Sequence, residues 1–442
     1  MTQKAAPPGP KPRVPGAALL AFRRDPIGFV MDMAKYGDFV HYKLGRSDFY
    51  QLNNPEHIKE VLVIKHNLFM KSKGLQAAKR ILGDGLLTSE GELHSRQRRL
   101  IQPAFFHDRI SSYADVMVEY TERQMGKWSD GEKLDIHHEM MKLTLAIVAK
   151  TLFGADVQQE TEEIRAAVST SSEYFGRFLN PAAPLLDALP LPSNKRFAEA
   201  KSRLDATIRE MMEKRRAEET PHDLLSALLH ARAEGVPMMT DKLVQDELMT
   251  LLLAGHETTA NALTWAWYLL SMNPETEKRL GEELDAVLGG RAPTVKDMPS
   301  LEYTNAVFTE AMRLYPPAWI LGRQALEDCV IGGYPLHRGS ILIMSQYVMH
   351  HDPRYFDSPK EFRPERWTKE MKAGLPKFAY FPFGGGPRSC VGEPFAWMEG
   401  VLLIATIARR WRFVHEDGHA VEMLPRLTLR PKYGMRMTVK AA

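Results

Sequence analysis

From Asp241 to Asn273 the chain contains no proline and no turn cluster, and its apolar residues keep a helical spacing. Thr240 and Asp241 are good N-cap residues, while Pro274 forbids continuation, so one helix should fill the interval. At ~1.5 Å per residue such a rod is roughly 50 Å long, enough to cross a whole domain. A chain built around it must be a large and mainly helical body.

The flanking patterns agree. Between about Pro55 and Leu314 apolar residues recur at three and four in VMVEYTERQMGKW, MMKLTLAIVAKTLF and DLLSALLHARAEG, with loops at PAAPLLDALPLPSN and GGRAPTVKDMPS. Strand-like segments lie towards the two ends. GDFVHYKLGRSDFYQLNN reads as two short strands about a Gly-Arg-Ser turn, and RQALEDCVIGGYPLHRGSILIMS and RLTLRPKYGMRMTVK read as further strands. The expectation is a mainly α fold with a small β part from about 36–54, 321–346 and 412–440, and a helical part from about 55–314 and 391–411. Together these make a single domain over 16–442, preceded by a leader whose five prolines within residues 1–15 favour an extended, mobile segment.

A net charge of +3 is too small to carry nucleic-acid binding by bulk charge. The longest uncharged stretch, Thr258–Pro274, is shorter and more polar than the ~20 apolar residues of a membrane span. No secretory signal is visible, because Arg23 and Arg24 break the first apolar run. The two cysteines, Cys329 and Cys390, cannot form a disulfide framework. The expectation is a monomeric cytoplasmic protein.

One cysteine sits in an unusual setting, FPFGGGPRSCVGEPF over 381–395. Gly384, Gly385 and Gly386 lack Cβ atoms, so the backbone can lie against a flat ligand and take positive φ. A helical stretch follows Cys390, and a helix N-terminus favours the thiolate, which suits an axial metal ligand. A buried structural cysteine or a nucleophile fits the same residues. Zinc does not, since no second cysteine is near, and a phosphate loop fails for want of Gly-Lys-Ser/Thr.

Phe383, Gly386, Arg388, Cys390 and Gly392 follow the spacing F-x-x-G-x-R-x-C-x-G. This resembles the haem-thiolate signature of the cytochrome P-450 family, and other motifs fall in the family's order over nearly the whole chain. The resemblance implies the cytochrome P-450 fold and haem b (iron protoporphyrin IX), with no flavin or nicotinamide bound by this chain. Cys390 would be the proximal iron ligand, with Phe383 near the sulfur and Arg388 on a propionate. His94 and Arg98 match the family's W/H-x-x-x-R pattern, and Arg323 its strand arginine, as further haem contacts. Glu310 and Arg313 of TEAMRLYPP, with Arg366 of FRPERW, look like the family's structural Glu-Arg-Arg triad.

Ala254-Gly255-His256-Glu257-Thr258-Thr259 is similar to the family's A/G-G-x-D/E-T, placed over the distal face of the haem. Glu257 and Thr258 are then the catalytic pair, a local widening of the helix at Gly255 setting the Thr258 hydroxyl beside the acid and so providing a controlled proton path. A bland reading leaves Thr259 and Asn261 on a solvated stripe. His256 fills the variable position and is expected to be structural or near water.

The resulting expectation is a monooxygenase that hydroxylates or epoxidises a lipophilic fatty acid, terpenoid or steroid-like molecule with O2. Electrons would come from NAD(P)H through a separate ferredoxin or flavodoxin-type partner docked on a basic face that includes Arg96 and Arg99. An H2O2-driven peroxygenase, a non-catalytic haem sensor or carrier, and an atypical isomerase or dehydratase are the alternatives. By the same resemblance, substrate contacts fall on Met249, Leu253, Ala254, Ala318, Trp319 and Ile320, within stretches that include 74–87, 175–179 and 424–427.

Overall fold

The structure, a computed structural model, describes residues 6–442 apart from 12–13, 15, 46, 157–188, 190, 218–222, 234–235 and 238. The stretch 175–179 expected near substrate lies outside the described residues. The chain is mainly α with small β sheets. It forms two compact units, Met1–Gln76 with Met312–Cys390, and Ala77–Ala311 with Val391–Ala442.

The first unit carries a five-stranded sheet. Phe39–Leu44 and Ser47–Leu52 pair antiparallel, Phe39 opposite Leu52, as the sequence leads one to expect. Ile341–Met344 then runs parallel to Ser47–Leu52, followed by Leu321–Ala325 and Phe69–Lys71. The run ILIM is buried at all positions, as a strand covered on both faces requires. Phe69–Lys71 lies inside the interval read as helical, since three residues are too few to show a two-residue period. Phe39, Leu52, Leu62, Leu342, Phe378 and Phe381 are central to the core. The leader is tied down where the His41 N–H donates to the Pro8 carbonyl at 2.8 Å.

Arg313 is wholly buried in this unit. Its guanidinium donates to the carbonyls of His350 (2.9 Å), Pro359 (2.7 Å) and Glu361 (3.0 Å). Arg366 donates to the carbonyls of Asp357 (2.6 Å) and Ser358 (3.3 Å), and Ser358 holds φ at 45°. Two arginines thus clamp the backbone of 350–361 into a conformation that a non-glycine residue adopts only with outside support. Glu310, on the same helix Glu302–Leu314 as Arg313, is also fully buried.

In the second unit the long helix is observed as Asp241–Met272. The Thr240 hydroxyl caps it by accepting from Leu243 N–H at 3.2 Å, and a new helix, Pro274–Leu288, begins at the proline. The long helix packs against helix Ile136–Phe153, where a Cβ on Gly255 would sit 3.2 Å from a Val148 methyl. Asp135 caps Ile136–Phe153 through the His137 N–H (3.1 Å) and also accepts from the Met435 N–H (2.8 Å). That residue joins the helix to a three-stranded sheet of Trp411–His415, Arg436–Ala441 and Lys133–Asp135. Lys133–Asp135 is another three-residue strand inside a stretch that reads as helical. Among the described residues no helix is long and apolar enough to cross a membrane.

Candidate active site

In the first unit, the segment before Cys390 is a chain of tight turns. Gly384 N–H donates to Phe381 O (2.9 Å), Ser389 N–H to Gly386 O (3.0 Å) and Cys390 N–H to Phe383 O (3.0 Å). The turns leave Cys390 exposed at the end of the loop. Gly384 and Gly386 take φ of 72° and 69°, the left-handed region expected of them. Gly385 does not: its φ is −175°. Glycine is needed there for space, because a Cβ would lie 2.4 Å from the Phe378 ring. Gly386 meets both demands, as its Cβ would fall 1.9 Å from the carbonyl oxygen of Leu62 in the π-helical turn Glu60–Ile64.

Phe383 and Arg388 in this loop are half-buried. Arg323, on strand Leu321–Ala325, is buried, with one guanidinium nitrogen donating to the Gly322 carbonyl at 3.0 Å. Beyond Pro316 and Pro317, Ala318 and Ile320 are half-buried. Trp319 is buried, and its carbonyl accepts from Ser345 Oγ (2.9 Å) and Tyr347 N–H (3.2 Å).

The second unit places His94 and Arg98 on helix Gly91–Ile101, the first buried and the second half-buried, while Arg96 and Arg99 are exposed. Gly392 stands at the N-cap of helix Glu393–Ala408. On the long helix most residues between Val244 and Leu270 are buried, Met249 among them, but Ala254 is exposed and Leu253, Gly255 and Thr258 are half-buried. Leu253, Ala254, Gly255 and Thr258 therefore form an accessible patch on a buried helix, while the motif's acid, Glu257, stays buried.

The polar chemistry around this patch corrects the expected helix widening, removes the bland reading and gives Glu257 a partner. The helix does not widen at Gly255; it is α-helical throughout, and the Thr258 hydroxyl donates to the Ala254 carbonyl at 2.8 Å. The close Val148 contact accounts for the glycine instead. Thr259 and Asn261 are buried, which excludes a solvated stripe. Finally, the Glu257 carboxylate accepts from the Thr428 hydroxyl at 2.5 Å, a partner that the sequence does not signal. Asn261 Nδ2 donates to Thr428 Oγ1 (3.1 Å), and His137 Nε2 lies 3.1 Å from Asn261 Oδ1. Since Asn261 presents a carbonyl oxygen there, His137 is the donor. Thr428, Asn261 and His137 escaped sequence reasoning because no local signal links them to Glu257.

His256 is buried with Nδ1 donating to the Leu252 carbonyl (2.5 Å), and burial lowers its pKa. Among the described residues no group of three or more His, Cys, Asp or Glu could hold a metal ion.

Glu399, on helix Glu393–Ala408, is wholly buried, and neither carboxyl oxygen has a hydrogen-bond partner of good geometry. Burial pushes its pKa up from 4.5 to about 8, the nearby Thr259 hydroxyl pulling the other way. The folded protein therefore holds a proton that the unfolded chain releases above pH 4.5. Its contribution to stability is fully present below that pH and is lost as pH rises through about 8. Glu399→Gln should flatten this slope and be more stable than wild type at pH 8–9, by ~2 kcal/mol, in urea titrations across pH. Parallel wild-type and variant curves would contradict it.

One unit thus carries a glycine-rich loop that presents a cysteine, and the other a long helix with a buried acid beside a half-buried threonine. The sequence profile of the cytochrome P-450 family matches residues 7–438. The chain belongs to the cytochrome P-450 family and is an oxidoreductase, a monooxygenase of that family. It is 40% identical over 426 residues to cyclooctatin synthase of Streptomyces melanosporofaciens, covering 96% of this chain and 92% of that one. It is 38% identical over 398 residues to cyclooctat-9-en-7-ol 5-monooxygenase of the same organism, with 89% and 86% covered. Pentalenene oxygenase of Streptomyces avermitilis is 33% identical over 436 residues, with 98% and 96% covered. Membership implies a haem-iron cofactor.

Proposed function

We propose that Cys390 is the proximal haem ligand and that the enzyme hydroxylates or epoxidises a terpenoid, a largely hydrocarbon small molecule. The exposed thiol at the end of a loop narrowed by three glycines is the observation that carries this reading. Such a loop fits a flat group with a metal at its centre, because its glycines carry no side chains to hold that group away. Phe383 borders the sulfur, and Arg388, Arg323, His94 and Arg98 are proposed to serve the propionates. When bound, haem-thiolate iron supplies activation of O2 with two electrons and two protons and insertion of one oxygen atom into a C–H or C=C bond.

The rest is done by this chain. Glu257 offers a carboxyl, oriented by the Thr428 hydroxyl, that can take up and pass on a proton. Thr258 presents its hydroxyl on the accessible patch, where it can hand a proton on. Leu253 and Ala254, and separately Ala318 and Ile320, offer apolar surface to substrate. Two relatives are named for oxygenating cyclooctat-9-en-7-ol and pentalenene, which favours a terpenoid over a fatty acid or steroid. Exposed Arg96 and Arg99 suit an acidic ferredoxin or flavodoxin-type donor of NAD(P)H electrons.

Turnover of cyclic terpenoid alkenes and alkenols with isotopically heavy O2, NADPH, a ferredoxin and its reductase tests the reading. Products carrying one heavy oxygen atom are expected. Oxygenation only with H2O2 would assign a peroxygenase, and turnover confined to fatty acids would remove the substrate class.

A further inference from the structure

His350 is a buried histidine that no motif points to. It ends the short helix Gln346–His350, and its carbonyl accepts from the buried Arg313 guanidinium at 2.9 Å. Its ring lies against Tyr380 and Phe381, with centroids 4.7 Å and 5.8 Å away. Nε2 accepts the backbone N–H of Phe381 at 3.1 Å. Phe381 is the residue from which the cysteine loop departs, since its carbonyl accepts the first turn's hydrogen bond from Gly384 N–H.

With Nε2 accepting, the ring proton must reside on Nδ1, which lies near the Met312 and Arg313 carbonyls but makes no hydrogen bond of good geometry. Burial and the neighbouring charges of Arg313 and His351 hold its pKa well below the usual histidine value, which keeps the lone pair on Nε2 available. Phe381 N–H is buried and has this ring as its acceptor, so removing the ring would strand a backbone donor.

We infer that His350 is a positioning residue for the cysteine ligand: its neutral imidazole ties the entry of the cysteine loop, at Phe381 N–H, to the backbone that Arg313 clamps. It acts through Phe381 and not on the sulfur itself. Its effect is to keep the loop in the one conformation that presents the sulfur. The inference rests on ligation by Cys390.

The test compares purified holoenzymes of wild type, His350→Phe, His350→Gln and Val30→Ala, followed by the reduced carbon monoxide spectrum during mild warming. Phenylalanine keeps the ring packing but cannot accept, while the glutamine amide oxygen restores an acceptor. Val30→Ala opens a cavity at a fully buried site of the same unit and serves as the measure of general destabilisation. His350→Phe should convert from the red-shifted thiolate band to the non-thiolate band about ten times faster than wild type, the size of one stranded buried donor. His350→Gln should recover most of that loss, and Val30→Ala should convert far more slowly than His350→Phe. If His350→Phe keeps the band as wild type does, or loses it no faster than Val30→Ala, the inference fails while ligation stands. A wild type without the band removes the ligation and the inference with it.

Discussion

Gly386→Ala should lower the melting temperature by on the order of 5 °C, through a loss of about 3 kcal/mol, and leave little thiolate-ligated haem in the purified protein. Two independent penalties fall on this one atom. At a φ of 69° an L residue is strained by ~1 kcal/mol or more. The new Cβ would also stand 1.9 Å from the Leu62 carbonyl oxygen, a backbone atom that cannot rotate away. The turn Gly386–Arg388 or the π-helical turn Glu60–Ile64 must move to admit it, and Cys390 follows the first of these by two residues. Gly374→Ala, at the end of helix Lys369–Gly374 with nothing within 4 Å of its would-be Cβ, is the matched control and should be close to neutral. Thermal unfolding of the two variants side by side decides the matter. Equal stability would mean that the loop is not held by close packing at Gly386.

What could be read in advance follows from how local each cause is. The long helix was legible because its cap, Thr240, and its stop, Pro274, lie next to the elements that they end. The cysteine loop was legible because the positive φ of Gly384 and Gly386 is a local demand of its turns. Gly385 marks the limit: its identity is right for a turn, but its cause is the ring of Phe378, known only once the chain has folded back. Glu257 shows the same on a longer scale, as its partner Thr428 is 171 residues away. A polar pair at that separation leaves no periodic or spacing signal. The strands Phe69–Lys71 and Lys133–Asp135 owe their existence to neighbours in their sheets, not to any preference that three residues can express.

The second large effect concerns Cys390. Serine conserves size but not the soft, strongly donating sulfur, so Cys390→Ser should lose monooxygenase turnover by about a thousand-fold or more while the fold survives. The thiol is exposed and its backbone N–H, which is what ties the residue to Phe383, is unchanged by the substitution. Circular dichroism and thermal unfolding should therefore match wild type closely. The most direct measurement is the absorption spectrum of the dithionite-reduced protein under carbon monoxide, for freshly prepared wild type and Cys390→Ser. A strongly red-shifted Soret band in wild type that is missing from Cys390→Ser, with haem bound in both, is the predicted result. A red-shifted band that persists in Cys390→Ser, or a haem-loaded wild type that never shows one, would contradict ligation by Cys390.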